Sequence, residues 1–211
     1  MNPFLSNPLE LLFLIPTLLV AITIHEFAHA FVADRLGDPT PRSQGRLTLN
    51  PLAHLDPIGT IMLILFRFGW GKPVQFDPYN LENPRRDAAL ISAAGPASNV
   101  LMAILAALAS RVAITQDAPA IVTTFLVLLI QYNLLLAVFN LIPVHPMDGG
   151  KVLVGLLPRD IAYDVDRTLN QYGFVLLLLL VLPIFGQPLI WTIIGPTLNL
   201  LLHFFLPIAT F

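Results

Sequence analysis

Long apolar runs separated by short polar, Pro- and Gly-rich stretches organise this chain. The first run extends from about Leu9 to Ala33, enough for one helical crossing of a hydrocarbon core roughly 30 Å thick, and Pro16 inside it predicts a kink. Arg35-Leu36-Gly37-Asp38-Pro39 then supplies Gly and Pro stop signals. Residues 40–56 are polar and turn-rich, and Gly45-Arg46-Leu47-Thr48-Leu49-Asn50-Pro51 is predicted as a short strand. The apolar run Ile58 to Phe66 is too short to span and is predicted to be re-entrant or interfacial. Gly69-Trp70-Gly71-Lys72-Pro73 closes it, and Val74-Gln75-Phe76 reads as a second short strand.

Ala88 to Ser110 and Ile121 to Leu141 are predicted as full spans. A polar connector follows from Lys151 to Gln171. Phe174 to Phe185 and Pro188 to Leu206 form a final hairpin around Gly186-Gln187-Pro188. The expected fold is an all-α polytopic membrane protein of five to six transmembrane helices. A small membrane-associated β-hairpin or re-entrant segment lies between its first and second full spans. No repeat or low-complexity tract interrupts it, so residues 1–211 read as one domain, with a core at 9–168 and a C-terminal helical hairpin at 169–211.

Composition agrees. Of 211 residues, 56% are hydrophobic and only 11% charged, with mean hydropathy +0.77, against roughly 25% charged in ordinary soluble domains. The net charge of −2 offers no basic field for nucleic acid. Absence of cysteine removes disulfides, thiolate nucleophiles and Cys-ligated zinc together. Met1 to Glu10 carries no Lys or Arg, which argues against a cleaved signal peptide and for a retained first span. If residues 56–70 do not cross, Arg35, Arg42, Arg46, Arg67, Lys72, Arg85, Arg86, Lys151, Arg159 and Arg167 share one side, leaving Arg111 opposite. The positive-inside rule makes the shared side cytoplasmic and puts the N-terminus outside.

His25-Glu26-Phe27-Ala28-His29 sits within the first apolar run. Residues four apart stack on one helix face, so His25 and His29 can grip one ion, with Glu26 beside the first ligand as general base. Ionisable groups cost so much inside a membrane that such a cluster reads as functional. A catalytic zinc usually has three protein ligands and an open position. Asp148 is the only acidic residue between Asp117 and Asp160, and the predicted topology places it level with His29. Gly149 and Gly150 allow close backbone approach there. Spacing alone leaves two roles open for Asp148, a metal ligand or a turn and helix N-cap.

His25-Glu26-Phe27-Ala28-His29, Gly95 followed by Asn99, and Asn140-x-x-Pro143 leading to Asp148-Gly149 together resemble the site-2 protease family of intramembrane zinc metalloproteases (peptidase family M50). The closest likeness is to the short prokaryotic branch without a PDZ or CBS domain, which the stretches Gly45 to Gly59 and Gly69 to Pro73 also resemble. The resemblance covers nearly the whole chain. It implies one Zn2+ per chain held by His25, His29 and Asp148, Glu26 as catalytic base, and a membrane-embedded β-hairpin. It also implies a site role for Asn140, whose amide suits a substrate backbone group or the oxyanion; an interhelical bond is the other reading. Gly95 and Asn99 read as close helix packing, and Pro143 and Gly149 as structural neighbours of the site. His54 reads as a turn histidine or as a substrate-binding group. His145 stands where the family usually has proline and reads as a loop residue or spare ligand. His203 reads as structural, and Asp34 and Arg35 as interfacial charges.

The expected partners are the lipid bilayer and a transmembrane segment of a substrate protein, part of which must be held extended because a helix hides its carbonyls. Strand addition along Arg46–Leu49 and Val74–Phe76 would hold it. The leading function is hydrolysis of peptide bonds in or near transmembrane segments. A catalytically silent protein that captures membrane helices is the alternative, and a metal transporter a further one. The first half of span one lacks the polar groups a transport path needs.

Overall fold

The architecture is that of a computed structural model, which describes residues 8–66, 69–184 and 186–206; Met1–Asn7, Arg67 and Phe185, named above, lie outside the described residues. Helix α1 spans Pro8–Arg35 and runs on through Pro16. After it come α2 (Thr40–Ser43), α3 (Pro57–Phe66), α4 (Pro84–Thr115), α5 (Ala120–Asn140), α6 (Asp148–Leu156), α7 (Arg159–Val181) and α8 (Ile190–Phe205). Pro84 opens α4, where a missing N–H costs nothing. The Asp87 carboxylate reaches back to accept the Asn83 N–H at 2.8 Å, which closes the helix start.

The polar groups lie inside and the apolar ones outside. On α4 the buried face carries Gly95, Asn99, Ala103, Ala106, Ala107 and Ser110, while Leu101, Leu105 and Leu108 on the other face are more than half exposed. Small residues let backbones approach closely, and the apolar exterior needs a hydrocarbon solvent. The alanines of α4 pack on Leu129, Ile130 and Leu134 of α5 and on Leu206 beyond α8. Ile142 and Val144, between α5 and α6, pack on Ile190 and Ile194 of α8. Ala33, Leu81 and Ile91 tie the end of α1 to α4. This is a membrane protein.

Three helices among the described residues are long and apolar enough to cross a membrane: Leu12–Arg35, Pro84–Thr115 and Ala120–Asn140. The expected number was five to six. The C-terminal hairpin is the difference, because α8 has 16 residues and α7 begins with the polar run Arg159 to Gln171. The stretch expected to be a polar connector is thus helical, divided between α6 and α7.

The expected β-hairpin is the second difference. Among the described residues no strand forms, and a single antiparallel bridge joins Leu55 to Gly71, with Lys72 N–H donating to His54 O at 2.8 Å. Side chains take backbone carbonyls in and beside the two expected strands. The Arg46 guanidinium donates to Ala53 O and Lys72 O, and the His54 ring bonds Thr48 O at 2.8 Å. Arg46, expected on an interfacial strand, is therefore a buried pin. Asp38, fully buried, draws in the other end of this segment. It accepts from Thr40 N–H and Oγ1, from Asp77 N–H at 2.8 Å and from Asn80 Nδ2 at 2.8 Å. Burial works against its ionisation, but those hydrogen bonds prevail and hold its pKa below the ordinary carboxylate value.

Candidate metal centre

His25 and His29 lie one helical turn apart on α1, and both are buried. Their Nε2 atoms are 3.0 Å apart. Asp148, in the first turn of α6, places Oδ2 at 3.2 Å from His25 Nε2 and 3.3 Å from His29 Nε2. The loop after α5 delivers this carboxylate. A Cβ at Gly149 would run into the Leu141 and Ile142 carbonyls, so only glycine lets α6 start so close to the end of α5.

The opposite ring nitrogens are committed elsewhere. His25 Nδ1 lies 2.6 Å from Asn99 Oδ1, and His29 Nδ1 lies 2.7 Å from the Ile91 carbonyl. Both partners are acceptors, so each Nδ1 carries the hydrogen and each Nε2 presents a lone pair. Asn99 is itself fixed, because its Nδ2 donates to Ala21 O at 3.1 Å and to Asn133 Oδ1 at 2.8 Å. Asn133 in turn donates to Leu129 O. Gly95 completes the cradle, since a Cβ there would collide with both imidazoles.

Two lone pairs and a carboxylate oxygen therefore converge with no donor of their own between them. Such an arrangement is repulsive until a cation is shared. Three ligands at zinc–nitrogen and zinc–oxygen lengths in tetrahedral geometry stand roughly 3.3 Å apart, and the separations here match. Among the described residues this is the one group of three or more His, Cys, Asp or Glu side chains that could hold a metal ion, and its donor set is that of catalytic zinc.

Glu26 directly follows His25 on α1, and its carboxylate turns toward Arg46 and Val74. Its Oε2 accepts the Val74 N–H at 2.9 Å and lies 3.9 Å from the Arg46 guanidinium. Arg46 is buried, and burial lowers its pKa against the upward pull of Glu26. Residues 73–76 thus cross beside the carboxylate, and they form one wall of a cavity of about 920 Å³ whose other walls come from α4, α6 and α7.

The remaining expected residues divide. Asn99 does more than pack helices, because it orients the His25 ring. Asn140 donates to Leu136 O within its own helix at 2.9 Å, so the interhelical bond does not form, and the structure shows no contact that assigns it a role. His54 is fully buried; its ring bonds within the 48–72 segment, which is neither a surface position nor a contact with the triad. Pro143 lies in the loop before Asp148. His145 bonds Asp166 of α7 at 3.1 Å and is not a fourth ligand. Sequence reasoning missed Asn133 and Arg46. An asparagine in the middle of the apolar α5 was a usable signal for the first; for Arg46, nothing local distinguishes burial from exposure.

The sequence model of Peptidase family M50 matches residues 108–180. A Bacillus subtilis protein that carries the name zinc metalloprotease YwhC is 37% identical over 212 residues, which is 97% of this chain and 96% of that one. Proteins named as zinc metalloprotease Rip2 are 31% identical in Mycolicibacterium smegmatis and 32% in Mycobacterium tuberculosis strain H37Rv. Each of these matches covers 78% of this chain and 64% of the relative. No solved structure matches the chain.

Proposed function

Because this chain belongs to peptidase family M50, we propose that it is an intramembrane zinc metalloendopeptidase of the site-2 protease type, which cuts peptide bonds in or near transmembrane segments of other membrane proteins. One observation carries the reading: the lone pairs of His25, His29 and Asp148 converge within 3.3 Å of one another on the same helix turn that bears Glu26. His25, His29 and Asp148 are the ligands, and a zinc ion held there supplies Lewis acidity toward water and toward the scissile carbonyl.

The chain's own groups do the rest. Glu26 takes the proton of the attacking water on its carboxylate and later gives it to the nitrogen of the leaving amine. Asn99 and the Ile91 carbonyl hold both imidazoles in the Nδ1–H tautomer, so the ligand atoms face inward before substrate arrives. Asn140, at the end of α5, offers its amide to the developing oxyanion or to the substrate backbone. The substrate segment is held extended alongside residues 73–76, which belong to no helix or ladder and bring a backbone N–H to Glu26. Arg46–Leu49, the other expected edge, is closed off by the buried Arg46. The N-terminus lies outside the cell and the active site toward the cytoplasm, following the Lys and Arg distribution.

Replacement of Glu26 by Gln tests this against helix capture or ion transport. A protease loses cleavage by roughly two to four orders of magnitude while it keeps zinc. Unchanged cleavage would overturn the reading.

A further inference from the structure

Lys151 lies one turn beyond Asp148 on α6, so the two share a helix face. Its ammonium sits 4.5 Å over the ring of Phe76, and both residues line the 920 Å³ cavity. A cation on an aromatic face keeps its three N–H donors free for a ligand. The charges that pull on it are those of Asp148 and Asp166, and among the described residues neither forms an ion pair with Lys151. Arg85 lines the same cavity, but its guanidinium donates to Leu157 O at 2.7 Å. Asp148 is turned to the two imidazoles, and Asp166 to His145 at 3.1 Å. Lys151 is exposed to this cavity, so among the described residues a cation with no ion-pair partner faces the wall that would carry the substrate.

We infer that Lys151 is a carboxylate-binding site within the substrate groove, so that peptides bearing a carboxylate beside the cut are preferred. The inference rests on the protease reading and names the substrate feature that this site selects. The carboxylate comes from an Asp or Glu side chain of the substrate, or from the chain end that cleavage creates; the chemistry at Lys151 is the same. Asp166 on the facing wall repels a second acid and limits the preference to one position.

The probe is a host peptide with a Leu/Ala helix of about twenty residues and a Gly/Ser tail that carries one Glu, Gln or Lys. A fourth version carries Gln and ends in a free carboxylate rather than an amide. Binding is measured by fluorescence anisotropy on full-length, detergent-solubilised Glu26→Gln protein, so that no peptide is consumed. The Glu peptide, the free-carboxylate peptide or both bind about tenfold more tightly than the amidated Gln peptide, as expected for one charge-assisted contact; which of them gains identifies the source. Lys151→Gln abolishes the difference, and Lys151→Glu reverses it in favour of the Lys peptide. Zinc content of each variant confirms that the core is intact. Equal binding of all four peptides, or an order unchanged by Lys151→Glu in zinc-loaded protein, would overturn the inference. Failure of the protease reading shows separately, as intact peptides after incubation with protein that retains Glu26.

Discussion

Asn99 Oδ1 lies 2.6 Å from His25 Nδ1, so a residue 74 positions away on another helix fixes which nitrogen of the ligand faces the ion. Loss of such a partner typically weakens metal binding by 10 to 100-fold. Asn99→Ala is therefore expected to lose zinc to a competing chelator at a concentration 10 to 100-fold lower than wild type needs. Asn133→Ala acts through Asn99 and has a smaller effect in the same direction. Chelator titration with metal analysis checks both.

Gly95 and Gly195 provide a matched pair. Both lie inside helices, each immediately before a proline (Pro96 and Pro196), so the strain of a Cβ against the following ring is common to the two. Chain neighbours apart, a Cβ at Gly195 meets nothing within 4 Å, whereas at Gly95 it collides with His25 and His29. Gly195→Ala should leave zinc content at wild type, with any cost confined to thermal stability through the Cβ against the following Pro196. Gly95→Ala should lose zinc and cleavage together, because one imidazole must swing out of the cradle.

Asp38 makes stability acid-sensitive. Its folded pKa is depressed below the ordinary value of about 3.9, so unfolding takes up a proton at low pH. The stabilisation is present above about pH 4 and fades as pH falls through the lowered folded value. Asp38→Asn should cost on the order of 1–3 kcal/mol at neutral pH through misfitted hydrogen bonds and flatten the acid limb. Thermal unfolding as a function of pH, in detergent, reads both effects.

Asn140→Ala separates the two parts of the account. Loss of an oxyanion donor lowers kcat by roughly 100 to 1,000-fold, with zinc content unchanged, since Asn140 bonds only its own helix among the described residues. A variant with normal kcat would remove Asn140 from the mechanism and leave the metal site standing.

The histidine pair of the candidate metal centre was legible because a helix converts the spacing of His25 and His29 directly into proximity. Isolation in an apolar stretch and the charge topology made Asp148 a candidate, and the resemblance to the site-2 protease family favoured a ligand over a turn or helix N-cap. Asn99 was visible as a polar residue in a span, but its bond to His25 depends on how α1 meets α4, which no local pattern encodes. The strands failed for a related reason. Alternation around Arg46 suggested a ladder, yet the His54 side chain takes the Thr48 carbonyl within the expected strand and Arg46 is drawn in to the Ala53 and Lys72 carbonyls. The polar half of α7 reads as a connector by hydropathy, although charged residues such as Asp160 and Arg167 sit comfortably on an exposed helix.

Zinc content measured by mass spectrometry on purified protein, beside His25→Ala and Asp148→Ala, tests the centre most directly. About one zinc per chain in the wild type, lost in both variants after dialysis against a weak chelator, is the expected result. Wild-type protein that carries no zinc after purification in zinc-containing buffer, or variants that retain as much as wild type, would contradict it.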